Sequence, residues 1–157
     1  MVTTTSKTDF FTAEKMKTIV SFKLLNLQGR GYHLSIAAHM NGKKIHLLID
    51  TGASLTVFDK ERFEKIAKDA KIDKNKHDAT GLGTSNMKAF EVVLKKFAVG
   101  KLEVKNYRIG LLDLSHVNKS YASIGKKPID GVLGSEFMKK FNAVINYEKK
   151  TISFSKK

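Results

Sequence analysis

The chain has 157 residues and a formal net charge of +14, and 41% of its residues are hydrophobic. This length predicts one domain, and the hydrophobic content is sufficient for a core. Cysteine is absent, which excludes disulfide bonds, a thiolate nucleophile and cysteine metal ligands. No apolar run approaches the roughly 18 residues of a membrane-spanning helix, so we expect no membrane partner.

The N-terminal residues 1–17 are rich in Thr, Ser and Lys and contain no apolar signal core. We expect them to form a flexible segment and residues 18–157 to form the single domain. Because no secretion signal is recognisable, the expected location is cytoplasmic.

The positive charge comes almost entirely from lysine, since arginine occurs only at positions 30, 62 and 108. The lysines are scattered along the chain, whereas base readout and bidentate phosphate contacts favour arginine. This distribution favours a solvated surface, and no nucleic-acid partner is expected. A binder of nucleic acid or of an acidic surface is the charge-driven alternative, and its affinity would fall steeply with salt.

The first half of the chain predicts a β-hairpin followed by a helix. Asn41-Gly42 is a strong two-residue hairpin turn, because both residues tolerate positive φ. Apolar residues at helical spacing after Asp59 predict a helix with Asp59 as its N-cap. The predicted elements are strands over 18–27, 32–40 and 43–49, a helix over 60–70 and a charged loop over 71–78.

The second half predicts extended segments separated by turns. Thr80-Gly81-Leu82-Gly83-Thr84-Ser85 forms a Gly-rich turn, and Gly100-Lys101 forms another. Ser135 can cap a short helix. The predicted elements are strands over 87–99 and 102–114, a polar loop over 115–128, an apolar strand over 129–134, a helix over 136–141, and a closing hairpin of 143–147 with 151–154. The plan is all-β with two short helices.

The most informative motif is Leu47-Leu48-Ile49-Asp50-Thr51-Gly52-Ala53-Ser54. An apolar strand ends on Asp50, and a Gly-containing turn follows at once. This order places a carboxylate at the end of a buried strand, where its charge must be shared or hydrogen-bonded. The usual arrangement is a pair of such carboxyl groups that share one proton, which is the chemistry of an aspartic protease.

The chain resembles the retropepsin-like aspartic proteases in their single-lobed form. Four elements over about residues 18–154 follow the family's order. They are the motif at 47–54, a Gly-rich flap turn at 80–85, the Val132-Leu133-Gly134 crossing strand, and the short helix with its closing hairpin. The resemblance implies an all-β, single-lobed retropepsin-like acid-protease barrel with a Gly-rich flap hairpin and two short helices.

The resemblance also implies an aspartic endopeptidase that acts on polypeptides without a cofactor. Asp50 from each of two protomers would form the catalytic dyad. The Thr51 hydroxyl can join the two active-site loops, and Gly52 permits the turn and a close backbone approach. Because the chain has a single Asp-Thr-Gly triplet, catalysis requires a symmetric homodimer. In the family, terminal strands often form the interface, and residues 151–154 and 18–22 are the candidates here.

The expected substrate-binding residues lie on two segments. The resemblance implies that Ala53 and Ser54 complete the loop that supports the catalytic carboxylate. Gly81, Leu82 and Gly83 would form a flap whose glycines let it close over a peptide and exclude water. The alternative for these glycines is an ordinary hairpin loop.

Asp130 and the five histidines are the other residues whose side chains could carry chemistry. Asp130 is interpreted as a loop-end carboxylate that bonds to backbone amides, and the alternative is a second catalytic acid. The histidines form no convincing metal-binding pattern and no metal site is expected; they lie at positions 33, 39, 46, 77 and 116. For the whole chain, the main alternative is a catalytically silent peptide-binding module on the same fold.

Overall fold

The computed structural model describes residues 16–67, 73–78 and 88–156. Within these ranges the chain forms eleven strands and three short helices, and none of these helices has the length and apolar character needed to cross a membrane. The strands are β1 (Lys17–Ser21), β2 (Lys23–Asn26), β3 (Tyr32–Met40), β4 (Lys43–Ile49), β5 (Val57–Asp59), β6 (Asp73–Asp78), β7 (Lys88–Val99), β8 (Leu102–Leu112), β9 (Gly131–Leu133), β10 (Val144–Asn146) and β11 (Thr151–Ser155). The helices are α1 (Lys60–Ile66), α2 (Ser115–Ser123) and α3 (Ser135–Lys140).

Six of the strands close into a barrel. Strands β3, β4, β9, β5, β8 and β7 are hydrogen-bonded in that order, and β7 pairs again with β3. The β4–β9 and β5–β8 pairs are parallel, whereas β9 and β5 are antiparallel. Because β9 lies between β4 and β5, it brings a segment from far along the chain beside the end of β4.

Aromatic rings fill the interior of the barrel. The Phe97 ring is fully buried and packs against Phe58, Tyr107 and Phe137, with ring centroids 6.3, 5.1 and 5.4 Å away. Phe137 of α3 also contacts Phe154 of β11 with a centroid separation of 5.5 Å. Stacked, edge-to-face and tilted pairs at these separations stabilise the core beyond simple burial of area. Through these rings the closing helix and hairpin are fixed against the barrel.

A second sheet has the order β1-β11-β10 and contains the terminal strands. Its inner face buries Ile152 and Phe154 against the core. On its outer face, Ile19 is 64% exposed and Val144 is 62% exposed. Both of these residues are paired with Ser153, one on each side of β11. The outer face therefore carries exposed apolar side chains on β1 and β10, with Ser153 of β11 between them.

The structure confirms the predicted all-β barrel and most of the predicted strands. Asn41 and Gly42 turn the β3–β4 hairpin with φ values of 48° and 83°, and Asp59 accepts a hydrogen bond from the Arg62 N–H as the N-cap of α1. The predicted strand over 18–27 is divided into β1 and β2. The division falls at Phe22, which is buried and whose N–H donates to the Lys150 carbonyl, because the chain passes there from one sheet to the other.

Three expectations about loops and helices were wrong. Residues 73–78, predicted as a charged loop, form β6 because their backbone pairs with β7. Residues 115–123, predicted as part of a polar loop, form α2, so there are three helices rather than two within the described ranges. The helix predicted over 60–70 already ends at Ile66, with Ala67 at its C-cap.

The start of α3 also differs from the expectation. Ser135 was predicted to cap this helix, but it is the first helical residue, and Gly134 holds the N-cap position without a side-chain cap. The predicted flap turn at 80–85 lies outside the described residues. The division into a segment over 1–17 and a domain over 18–157 stays a prediction, because residues 1–15 are likewise outside the described part.

Candidate active site

Asp50 follows β4 at the edge of the barrel. In β4, Ile45 and Leu47 are fully buried, and the alternation of the strand fixes its register on the core. The Asp50 N–H donates to the Leu133 carbonyl at 3.1 Å, so the backbone of Asp50 still belongs to the sheet. The Asp50 side chain is exposed. The strand therefore presents the carboxyl group to solvent from a rigid base.

A tight turn orients this carboxyl group. The Gly52 N–H donates to Asp50 Oδ1 at 2.8 Å, and the Ala53 N–H donates to the Asp50 carbonyl at 3.3 Å. An ideal β-carbon at Gly52 would lie 3.2 Å from Asp50 Oδ1, which is tighter than ordinary van der Waals contact. Glycine at this position thus allows the backbone amide to approach the carboxylate.

The crossing strand β9 holds the other side of the loop. Leu48 and Ile49 pair in parallel with Val132 and Leu133. Beyond the strand, the Ser135 N–H donates to the Ala53 carbonyl at 2.7 Å. The loop that carries Asp50 is therefore bonded at both of its ends to the segment that leads into α3.

A polar network supports the same loop from the core. The Thr56 N–H donates to Glu136 Oε1, and the Thr56 hydroxyl oxygen accepts from the Gly134 N–H, each at 3.0 Å. The Tyr107 hydroxyl contacts Glu136 Oε1 and lies 2.8 Å from Thr56 Oγ1. Burial raises the pKa of Tyr107, and its hydrogen bond to Glu136 raises it further. The hydroxyl therefore stays protonated and can donate at neutral pH.

Sequence reasoning did not identify this network. Thr56, Tyr107 and Glu136 lie on three separate segments and share no motif spacing. The single available signal was the position of Glu136 directly after Gly134 and Ser135 at a helix start, where acidic residues are common. Only the closed barrel brings the three side chains together.

Asp130 has a structural role. It is buried, its Oδ2 accepts from the His46 N–H at 2.8 Å, and its Oδ1 accepts from Arg62 Nε at 2.7 Å. The backbone adds a second link, because the Asp130 N–H donates to the His46 carbonyl. These contacts agree with the interpretation of Asp130 as a loop-end carboxylate bonded to a backbone amide, and they add an ion pair with α1 that the sequence did not predict.

An open cavity of about 240 Å³ lies in front of Asp50. The cavity is lined by Asp50 and Thr51, by His33 of β3, by Ile145 of β10 and by Tyr147, which directly follows β10. Tyr147 is 60% exposed. The cavity therefore joins the end of β4 to the sheet built from the terminal strands.

The structure brings part of the predicted site together. Asp50, Thr51, Gly52, Ala53 and Ser54 form one continuous loop, in which Ala53 is half-buried and the others are exposed. The predicted flap residues at 81–83 lie outside the described residues, so their position relative to this loop stays a prediction.

Comparison with solved structures identifies the class of fold. A retropepsin-like aspartic protease from Rickettsia conorii matches with a TM-score of 0.55 and 24% identity, over 91% of this chain and 93% of that chain. The retroviral protease-like domain of Ddi1 from Leishmania major matches with a TM-score of 0.54 and 11% identity, over 78% of this chain and 87% of that chain. The fold is that of the retropepsin-like aspartic proteases.

The sequence comparison assigns the family. A family model described as aspartyl protease matches residues 36–137, a range that includes the Asp50 loop and β9. This chain belongs to that aspartyl protease family. Among curated proteins, none is significantly similar to it in sequence.

Proposed function

We propose that this protein is an aspartic endopeptidase that hydrolyses peptide bonds in extended polypeptides as a homodimer, with one Asp50 from each protomer. The observation that carries the proposal is the exposed Asp50 carboxyl group at the end of a buried strand. The Gly52 N–H donates to this carboxyl group, and the backbone N–H of Asp50 donates to the Leu133 carbonyl. Its occurrence in a chain of the aspartyl protease family supports a catalytic use of this carboxyl group.

The mechanism follows from two Asp50 carboxyl groups that face each other. At about 3 Å apart they cannot both ionise, so the pair shares one proton. The ionised carboxylate takes a proton from a water molecule, whose oxygen bonds to the scissile carbonyl carbon. The protonated carboxyl group gives its proton to the carbonyl oxygen. The carboxyl group that accepted the water proton then gives a proton to the leaving nitrogen, while the other carboxylate takes a proton from one hydroxyl of the tetrahedral intermediate. The C–N bond breaks, the dyad again holds one proton, and no acyl-enzyme forms.

The dimer is required by the count of catalytic groups. The sequence contains one Asp-Thr-Gly triplet, and the proposed mechanism needs two carboxyl groups. The terminal sheet adjoins Asp50, since Ile145 and Tyr147 line the same cavity. Its outer face exposes Ile19 and Val144. We therefore propose that this face, rather than the paired backbone of residues 151–154, contacts the second protomer.

The remaining site residues have proposed roles around the dyad. Thr51 would join the two catalytic loops across the dimer axis, while Gly52 keeps its amide on the carboxylate. Ala53 and Ser54 would contact the peptide backbone beside the scissile bond. Gly81, Leu82 and Gly83 would close over the peptide, which adds to the site as an extended strand.

A mixing experiment tests the shared dyad. Asp50→Asn is expected to lower cleavage of a denatured protein mixture by roughly 10²–10⁴-fold, because it removes a general acid–base group. Wild-type and Asp50→Asn protomers are then mixed in different ratios at constant total protein and left to exchange partners. The cleavage rate should follow the square of the wild-type fraction, because only dimers of two wild-type protomers carry both carboxyl groups. The matched control is Glu103→Gln, an exposed carboxylate on β8, which should keep full activity.

Two results would contradict the proposal. Cleavage retained by a pure Asp50→Asn preparation would exclude Asp50 as a catalytic group, and a linear dependence on the wild-type fraction would exclude a dyad shared between chains. Binding of extended peptides by both wild type and Asp50→Asn, with no cut detected by mass spectrometry at acidic or neutral pH, would favour the catalytically silent binding module instead.

A further inference from the structure

A second cavity lies next to the Asp50 cavity and shares a wall with it. It has a volume of about 450 Å³ and lies between α2 and the turn that joins β2 to β3. His33 lines both cavities. A ligand bound at Asp50 could therefore extend past His33 into this second space.

The strand register places His33 next to Asp50. Leu34 pairs with Ile49, so His33 and Asp50 are the next two residues in the same antiparallel register. Neighbouring strands are about 4.8 Å apart. His33 Nδ1 forms a hydrogen bond with the hydroxyl of Tyr121 on α2, and the two rings meet edge to face with centroids 5.9 Å apart. This pair connects the catalytic end of the barrel to α2.

The wall formed by α2 is firmly attached. Asn118 donates from Nδ2 to the Ile129 carbonyl at 3.2 Å and accepts from the Ile129 N–H at 2.9 Å. At the start of the helix, the Leu114 N–H donates to Asp59 Oδ2 at 2.9 Å. These bonds tie α2 to the segment before β9 and to the cap of α1. The cavity is therefore bounded by fixed elements rather than by a free loop.

The opposite wall is the turn that carries Arg30. The Leu27 N–H donates to the Gly31 carbonyl at 3.0 Å, and the Arg30 N–H donates to the Leu27 carbonyl at 3.2 Å. The Gly29 N–H is bonded to Asn26 Oδ1 at 2.9 Å, and Gly29 has a φ of 79°. This closed turn holds the base of the Arg30 side chain at the rim of the cavity.

The cavity combines an apolar floor with a basic rim. Half-buried apolar side chains of the floor are Leu27, Val117 and Ile124. The basic side chains that line it are Arg30, His33 and His116, and among the described residues that line the cavity none is an aspartate or glutamate. An arginine guanidinium binds a carboxylate through two parallel hydrogen bonds. The lining thus fits an acidic side chain whose methylene groups contact the floor.

We propose that this cavity is a secondary recognition site for the polypeptide substrate, which takes an Asp or Glu side chain a few residues from the scissile bond. The inference rests on the proposed function, because it assigns the specificity of the same site. The net charge of +14 adds to it, since a basic protein attracts acidic polypeptides before they reach the site.

Direct binding to the Asp50→Asn variant tests this site without relying on turnover. The probes are two sets of acetylated, amidated decapeptides of uncharged residues, one with a single Glu scanned through the positions and one with Gln in its place. At one position of the scan, the Glu peptide should bind roughly three- to ten-fold more tightly than the peptide with Gln at the same position, as expected for a partly exposed ion pair. This difference should vanish when Arg30→Glu is added.

Two further variants separate the cavity from general electrostatics. Lys105→Glu makes the same reversal of charge on an exposed position of β8 and should keep the preference for Glu. Ser120→Phe fills the cavity from α2 and leaves Arg30 intact. This variant should lose the preference for Glu. Equal binding of the Glu and Gln sets, or equal losses in Arg30→Glu and Lys105→Glu, would overturn the inference.

Cleavage by the wild-type protein distinguishes this inference from the proposed function. Cuts without enrichment of Asp or Glu near the scissile bond would leave the protease assignment standing and overturn the recognition site. A Glu preference in binding that depends on Arg30, from a protein that makes no cuts, would support the site and count against the protease assignment.

Discussion

Gly134 passes so close to Leu55 that an ideal β-carbon on Gly134 would lie 2.5 Å from the Leu55 carbonyl carbon. The contact joins the end of β9 to the loop that carries Asp50. Gly134 has φ −85° and ψ 172°, a conformation open to any residue, so the requirement for glycine here is steric and not conformational.

Gly134→Ala is therefore expected to push apart the two segments that form the candidate site. The new β-carbon would meet Glu136 Oε2, which can shift, and would lie 2.5 and 2.7 Å from the Leu55 carbonyl carbon and oxygen, which are backbone and cannot move aside. Overpacking of this kind costs about 1–3 kcal/mol. Urea denaturation gives the loss in the free energy of unfolding. Gly110→Ala is the matched control, because its new β-carbon would meet first the flexible Val57 side chain at 3.1 Å. A loss no greater than that of Gly110→Ala would contradict the steric account.

Substitution of Asp50 or Asp130 by Asn should have opposite effects on stability and on cleavage activity. Asp130→Asn places an amide opposite Arg62 in the buried contact and should lower the free energy of unfolding by about 1–3 kcal/mol. The folded fraction should keep its cleavage activity. Asp50→Asn, at an exposed position, should change stability by less than about 0.5 kcal/mol and remove cleavage. Thermal denaturation and peptide cleavage are measured on both variants, and loss of catalysis in folded Asp130→Asn would contradict its structural role.

The raised pKa of Tyr107 should make the free energy of unfolding decrease at alkaline pH. Its pKa is raised in the folded protein by burial and by Glu136, whereas an unfolded tyrosine ionises near pH 10. Above that pH the unfolded state loses a proton that the folded state keeps, so the free energy of unfolding falls by up to about 1.4 kcal/mol per pH unit. Tyr107→Phe lacks this group. The stability advantage of wild type over Tyr107→Phe should therefore shrink from pH 9 to pH 11.5, and a constant difference would contradict the prediction.

Val144 should contribute to association of the protomers. Val144→Glu places a charge on the outer face of the terminal sheet and should raise the dissociation constant of the proposed dimer by about ten-fold or more, since one buried charge costs at least 1.4 kcal/mol. Sedimentation and the dependence of activity on protein concentration measure this. Val93→Glu is the matched control, because Val93 is also exposed but lies on β7. Equal effects in both variants would exclude the terminal face as the interface.

The local features of the site could be predicted from the sequence. The run from Leu47 to Ser54 defined both the buried strand and the exposed carboxylate, because strand alternation and turn chemistry are set by neighbouring residues. Asp59 as a helix cap and Asn41-Gly42 as a hairpin turn are of the same kind. Each depends on bonds that span only a few positions of the chain.

The elements that were missed have weaker local signals. Val117 and Tyr121 of α2 and its C-cap residue Ile124 have helical spacing, but the polar residues between them concealed it. Polar residues dominate β6, and its strand conformation follows from pairing with β7, since backbone hydrogen bonds with a neighbouring strand can outweigh propensity.

The sequence by itself determined the family resemblance, the barrel class and the candidate catalytic group, because these depend on contiguous motifs and their order. Only the tertiary structure decided what surrounds Asp50. The Thr56–Glu136–Tyr107 network, the Asp130–Arg62 pair and the His33–Tyr121 contact join residues far apart in the chain. Such contacts depend on barrel closure, which positions side chains through register and crossing strands that no local pattern encodes.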